Sequence, residues 1–192
     1  MASSVPLAAG QSRPALEFFP MPEFVLDTSG QVAPPAAAKL WPHPLAWNQL
    51  SDFAQGYIEA LFFTESSPAY DRAEWFGAEC QEALTEGTAD GNIPGDVGFS
   101  DLAPDTLNRI LNDCANFKRE HADTLAKAYD HGGAAGDYDE TQAGRDYWYT
   151  RNGHGVGFWD RGLGEIGEAL SKAARYSEQN ASFEEDGKVY LF

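Results

Sequence analysis

Positive charge is scarce in this chain. Lys and Arg together number 13 of 192 residues against 30 Asp and Glu, which leaves a net charge of −17. A body so acidic is repelled by phosphate backbones and by anionic bilayers, so direct nucleic-acid binding and membrane-surface attachment are both disfavoured. Cysteine is nearly absent too. Cys80 and Cys114 have no CxxC spacing and no further partner for a zinc site, and they read as buried free thiols of a reducing cytoplasm. No apolar run approaches the roughly 18 residues of a membrane span. Met1 to Gly10 lacks both the basic start and the apolar stretch of a secretory signal, so the expected location is the cytoplasm. The chain contains no GxSxG, phosphate loop or HExxH, and no two histidines at ligand spacing, so no metal or cofactor is expected.

Apolar material is plentiful by contrast. At 43% hydrophobic and 13% aromatic the chain can bury one ordinary core, and its length suits one domain plus a tail. Residues 1–40, rich in Ala, Pro and Ser, read as a flexible arm, and 41–192 as a single acidic domain. Inside the arm, Phe18 to Leu26 is too apolar for a solvated linker and either packs on the domain or docks on a partner.

Trp41-Pro42-His43-Pro44 forbids helix. Beyond it Leu50, Phe53, Ala54, Tyr57, Ile58 and Leu61 recur at three-and-four spacing, predicting a helix over about 45–63. A shorter helix is expected over 71–86 with Phe76, Cys80, Ala83 and Leu84 inward, and a long one over 104–129, opened by Pro104. His131 to Gly136 reads as a mobile connection. Another helix is expected over 164–176. The aromatic runs 146–151 and 156–160, separated by Asn152-Gly153, read as two strands of a hairpin, and 182–192, with Asp186-Gly187, as a second one. The fold class that follows is α+β: a helical layer packed on a small antiparallel sheet. Trp148, Phe158, Leu107, Ile110, Leu111, Phe53 and Leu61 are the expected core.

The acids are unevenly placed. Residues 41–108 hold twelve acids and the single base Arg72, a net −11, against −1 for 1–40 and −5 for 109–192. One reading is a solvated face that maintains solubility. The other is a surface that imitates nucleic acid: carboxylates about 4 to 6 Å apart along a helix approximate the charge density of a phosphate backbone. Such a face, carried by Glu74, Glu79, Glu82, Glu86, Asp90 and Asp96, would occupy the basic groove of a protein that normally binds nucleic acid.

The stretch Arg145 to Arg161 concentrates reactive side chains. His154 stands between two glycines at a turn, and with Asp160 orienting its ring and Arg151 or Arg161 holding an anion it would make a hydrolytic or phosphate-handling site. No recognisable nucleophile accompanies these residues. The alternative is purely structural, with glycines permitting close packing, aromatics filling the core and Arg and Asp forming ion pairs. Asp90-Gly91-Asn92-Ile93-Pro94-Gly95-Asp96 has the front of a calcium loop, but Pro94 removes a ligand and Asp101 stands where that loop has Glu. Asp137 to Glu140 reads as a solvated acidic loop.

Four blocks carry a resemblance: Tyr57 to Leu61, Asp101 to Leu107, Asp113-Cys114 with Phe117, and Gly144 to Arg161 with its R-N-G-H-G-x-G-F-W-D-R motif. In that order, and across about Ser51 to Tyr190, the chain resembles a family of small uncharacterised proteins encoded by bacteriophages and prophages. The family commonly has His where Arg145 stands and Leu where Tyr149 stands. The resemblance implies a viral genetic setting and supplies no mechanism. In that setting the acidic chain is read as an interaction or inhibitor protein that blocks a host nucleic-acid-binding or defence protein, with a small enzyme or ligand binder using the His154 turn as the alternative.

Overall fold

The structure, a computed structural model, describes residues 45–131, 136–175 and 178–192. The arm assigned to 1–40, its Phe18 to Leu26 segment, and 132–135 of the glycine-rich connection lie outside the described residues. The described residues form six α-helices and two small two-stranded sheets, an α+β fold dominated by helix.

Helix α1, Asp52–Glu65, starts later than the expected 45, after a separate helical turn at Trp47–Gln49, because Ser51 caps it there, its hydroxyl accepting from the Ala54 N–H. Its apolar face buries Phe53, Ala54, Tyr57, Ile58 and Leu61, as the spacing predicts. Ser66–Ser67 (β1) then pairs in parallel with Ile93–Pro94 (β2). Helix α2, Ala78–Glu86, is shorter than the expected 71–86. The Asp71 carboxylate accepts from the N–H groups of Ala73 and Glu74 at 2.8 and 3.0 Å, which holds 71–77 in turns and delays the helix to Gly77. That delay also exchanges two aromatics: Trp75 is buried, whereas Phe76, expected inward, is 48% exposed.

The expected helix over 104–129 is two, α3 at Pro104–Glu120 and α4 at Ala122–His131. At His121 the backbone leaves helical geometry, and its carbonyl accepts from the N–H groups of Thr124 and Leu125 to start the next helix. Helix α6, Glu165–Ala174, lies where the sequence predicts one. So does the second hairpin, Ala181–Phe183 (β3) antiparallel to Val189–Leu191 (β4), with Gly187 at positive φ in its turn.

The first hairpin is a correction. Residues 146–151 are not a strand but the end of helix α5, Glu140–Arg151, and 156–160 contains only the helical turn Phe158–Asp160. Helix α5 is the central element. It runs beside α1 in the same sense, since contacts climb both helices together: the Phe53 N–H to Glu140, Glu59 to Arg145, Thr64 to Trp148. The backbones approach so closely that a Cβ on Gly56 would collide with the Thr141 carbonyl, and one on Gly144 with that of Phe53. On its other side Tyr147 stacks on Phe117 of α3, with ring centroids 4.1 Å apart, and Phe117 stacks in turn on Phe158. Trp148 and Phe158 are fully buried, as expected, but within a helical core. The other five expected core residues, Phe53, Leu61, Leu107, Ile110 and Leu111, are buried as well.

Candidate functional site

Two regions carry the residues singled out from the sequence. The first runs from Asp71 to Asp101. Its one base, Arg72, is bound on several sides: Nε donates to Asp96 at 2.9 Å, Nη2 to Asp101 at 3.2 Å and to the Asp96 carbonyl, and its backbone N–H also donates to Asp96. Partial desolvation pushes the Asp96 carboxyl up, and the Arg72 hydrogen bonds and charge outweigh it, so the group titrates below its ordinary range. Asp96 is therefore engaged in an ion pair rather than presented to a partner. The two acids that front the supposed calcium loop at its far end, Asp96 and Asp101, both face a guanidinium. Asn92 in the same loop donates to the buried Glu65, and Gly91 lies against the Glu65 carbonyl where no Cβ fits.

The remaining acids of this region are placed differently. Glu74, Glu79, Glu82, Glu86 and Asp90 are all exposed, and among the described residues none is in an ion pair. Glu79, Glu82 and Glu86 lie on α2, about 10 Å from first to last at the helical rise per residue. The structure adds acids that the sequence reading left out. Phe183 of β3 packs its ring against Trp75 and Phe76, bringing the hairpin that carries exposed Glu184, Glu185 and Asp186 against the segment that carries Glu74 and Glu79. Such a contact between distant segments leaves no local trace in the sequence.

The second region is the loop that ends α5. Arg151 is buried, its guanidinium donating to the Tyr57 hydroxyl at 2.9 Å and to Asp113 at 3.1 Å while lying over the Tyr57 and Tyr147 rings. Arg161 makes a two-pronged ion pair with the fully buried Asp146, which also accepts from the Tyr138 hydroxyl and the Gln142 amide. Both arginines expected to hold an anion thus neutralise internal acids. Asp160 is exposed, and among the described residues it makes no hydrogen bond to His154. Sequence proximity suggested a His154, Asp160 and arginine group; the folded loop instead separates them by task.

Most of the motif is consumed by the turn itself. Asn152 donates to the Trp148 carbonyl and accepts from the Gln179 N–H, tying α5 to the chain beyond α6. Gly153 has positive φ, and Gly157 leaves room for the Trp159 ring, which a Cβ there would overlap. Thr150 accepts from the Phe158 N–H. His154 and Trp159 are the exceptions. Together with Arg175 and Glu178 they line a cleft of about 540 Å³ beside the end of α5.

Both cysteines are buried free thiols, and burial pushes the Cys114 thiol well above its ordinary range, which makes it a poor nucleophile. Among the described residues no helix is long and apolar enough to cross a membrane, and no group of His, Cys, Asp and Glu is placed to hold a metal ion. Comparison with protein-family models, curated proteins and solved structures gives no match to the chain.

Proposed function

We propose that the protein is a phage-type acidic accessory protein that acts in the host cytoplasm, using its negative face to imitate nucleic acid and block a basic host protein of the nucleic-acid-binding or defence class. The observation that carries this reading is the contrast among the acids. Glu74, Glu79, Glu82, Glu86 and Asp90 are exposed with no basic partner among the described residues, while the only base of the segment is occupied by Asp96 and Asp101. Unneutralised charge on one surface produces a field that steers a basic partner and rejects polyanions. The test is affinity capture from a nuclease-treated bacterial lysate at low and at high salt. Capture of a basic nucleic-acid-binding protein at low salt only is the expected result; a charge-independent set of captured proteins would overturn the proposal.

A ligand-binding role at the His154 turn is the second reading, favoured by the cleft that His154 and Trp159 line. A hydrolytic version of it has less support, because Arg151 and Arg161 are held by Asp113 and Asp146.

A further inference from the structure

The cleft at the end of α5 brings together side chains that the fold leaves without a task. His154 Nε2 is a buried atom with no hydrogen-bond partner, although its ring is fixed by neighbours: Trp148 at 6.5 Å and Tyr149, edge-on, at 5.9 Å between centroids. A buried polar atom without a partner is costly unless something else satisfies it. Trp159 is a large aromatic left 41% exposed, held in place by the close approach of Gly157. Arg175, which follows α6, is unlike the other described arginines. Arg72, Arg109, Arg119, Arg145, Arg151 and Arg161 each bond through the guanidinium, whereas among the described residues that of Arg175 makes no hydrogen bond or ion pair. In a chain of net charge −17 an arginine with no partner among the described residues is unexpected, since acids to pair with are abundant. Glu178, which is exposed, lines the same cleft.

We infer that this cleft binds a mononucleotide, with the base stacked on Trp159, the phosphate at Arg175, and the base edge donating to Glu178. The volume lies within the range of small-ligand sites, which are concave and carry a few convergent polar groups beside an aromatic wall. An indole face stacks any base. A guanidinium presents a planar fork of donors to which two oxygens of a phosphate can bind together. The Glu178 carboxylate favours donors, which a base edge offers and a simple anion does not. The cleft thus offers one group for each part of a nucleotide: the Trp159 ring for the base, Arg175 for the phosphate and Glu178 for the base edge. The inference rests on the ligand-binding reading of the His154 turn and is independent of the acidic-face proposal, because none of its residues belongs to that face.

The probe is guanosine monophosphate, whose base presents two adjacent N–H donors to a carboxylate, titrated into the full chain by calorimetry. Saturable binding at one site is expected, with Trp159→Leu weakening it at least about fivefold and Arg175→Gln about tenfold. Lys172→Ala, an exposed charge on α6 outside the cleft, should leave it unchanged. Nuclear magnetic resonance of the wild type should show the His154 ring and the Trp159 indole N–H shifting on titration, a readout that requires no variant to fold. Absence of saturable binding, equal binding by the Trp159 and Arg175 variants, or competition by inorganic phosphate as effective as by the nucleotide would each overturn the inference.

Discussion

Asp146 shows how far a single side chain can differ from its sequence reading. It is fully buried, accepts three hydrogen bonds from the Arg161 guanidinium, and accepts from Tyr138 and Gln142. Removing one partner of such a pair leaves an uncompensated charge, so Asp146→Asn should cost about 3 kcal/mol in denaturant unfolding. Asp160→Asn, at an exposed acid, should stay within about 0.5 kcal/mol. Equal effects from the two would show that Asp146 is not the acid that Arg161 needs. The tyrosines give a pH expectation. Burial pushes the hydroxyls of Tyr57, Tyr138 and Tyr147 up, that of Tyr147 to about 12, against the lowering effect of Arg151 on Tyr57 and Tyr147. The unfolded chain ionises these groups near pH 10. The stability gained by keeping them neutral is fully present below that pH and is lost as pH climbs from about 10 toward the folded values. Absorbance of tyrosinate and far-ultraviolet circular dichroism should therefore change together in alkali. Ionisation of these three near pH 10 with the helices intact would contradict the burial described. None of this was legible locally: Asp146 and Arg161 are both visible in the sequence, but that they pair with each other, with Asp160 beside Arg161, is settled only by packing.

Helix α5 is the element that sequence reasoning misassigned, and the cause is its position. Its buried residues Ala143, Gly144, Asp146, Tyr147, Trp148, Thr150 and Arg151 do recur at three-and-four spacing, but Gly, Asp, Thr and Arg among them interrupt the apolar period that reveals α1, α3 and α6. The run of aromatics then favoured a strand. A helix-start signal was present: Asp139 accepts from the Gln142 N–H, the N-cap pattern read as a solvated loop. The β3–β4 hairpin was legible because Asp186-Gly187 supplies its turn chemistry directly. The glycines of the α1–α5 contact yield a sharp comparison. Ala is the better helix former by about 1 kcal/mol, yet Gly56→Ala and Gly144→Ala should each destabilise by about 2 kcal/mol or more, because a Cβ meets backbone on the facing helix. Gly155→Ala, with open space around it, should be neutral within about 0.5 kcal/mol. Thermal unfolding of the three variants measures this directly. A stabilised Gly144→Ala protein would mean that the helices do not approach as described.

At the scale of the whole molecule, charge distribution was the most legible feature, and its division into used and unused acids the least. The sequence located the excess in 41–108 and placed Asp96 with Glu74, Glu79, Glu82, Glu86 and Asp90; the fold separates Asp96 from the others by pairing it with Arg72. It also brings the hairpin acids Glu184 and Glu185 to the neighbourhood through Phe183 and Phe76. Reversing Glu79, Glu82 and Glu86 to Lys changes the net charge of 41–108 from −11 to −5 at exposed positions, so the fold should persist. Association with a basic partner should slow, and the affinity of the wild type should fall steeply with salt. The most direct test of nucleic-acid imitation is displacement: the basic partner recovered by capture is loaded with labelled duplex DNA at low salt, and either the wild type or the triple variant is added. The wild type should release the DNA stoichiometrically while the triple variant, folded by circular dichroism, releases little. A stable complex holding DNA and the wild type together, or equal release by the triple variant, would contradict the account.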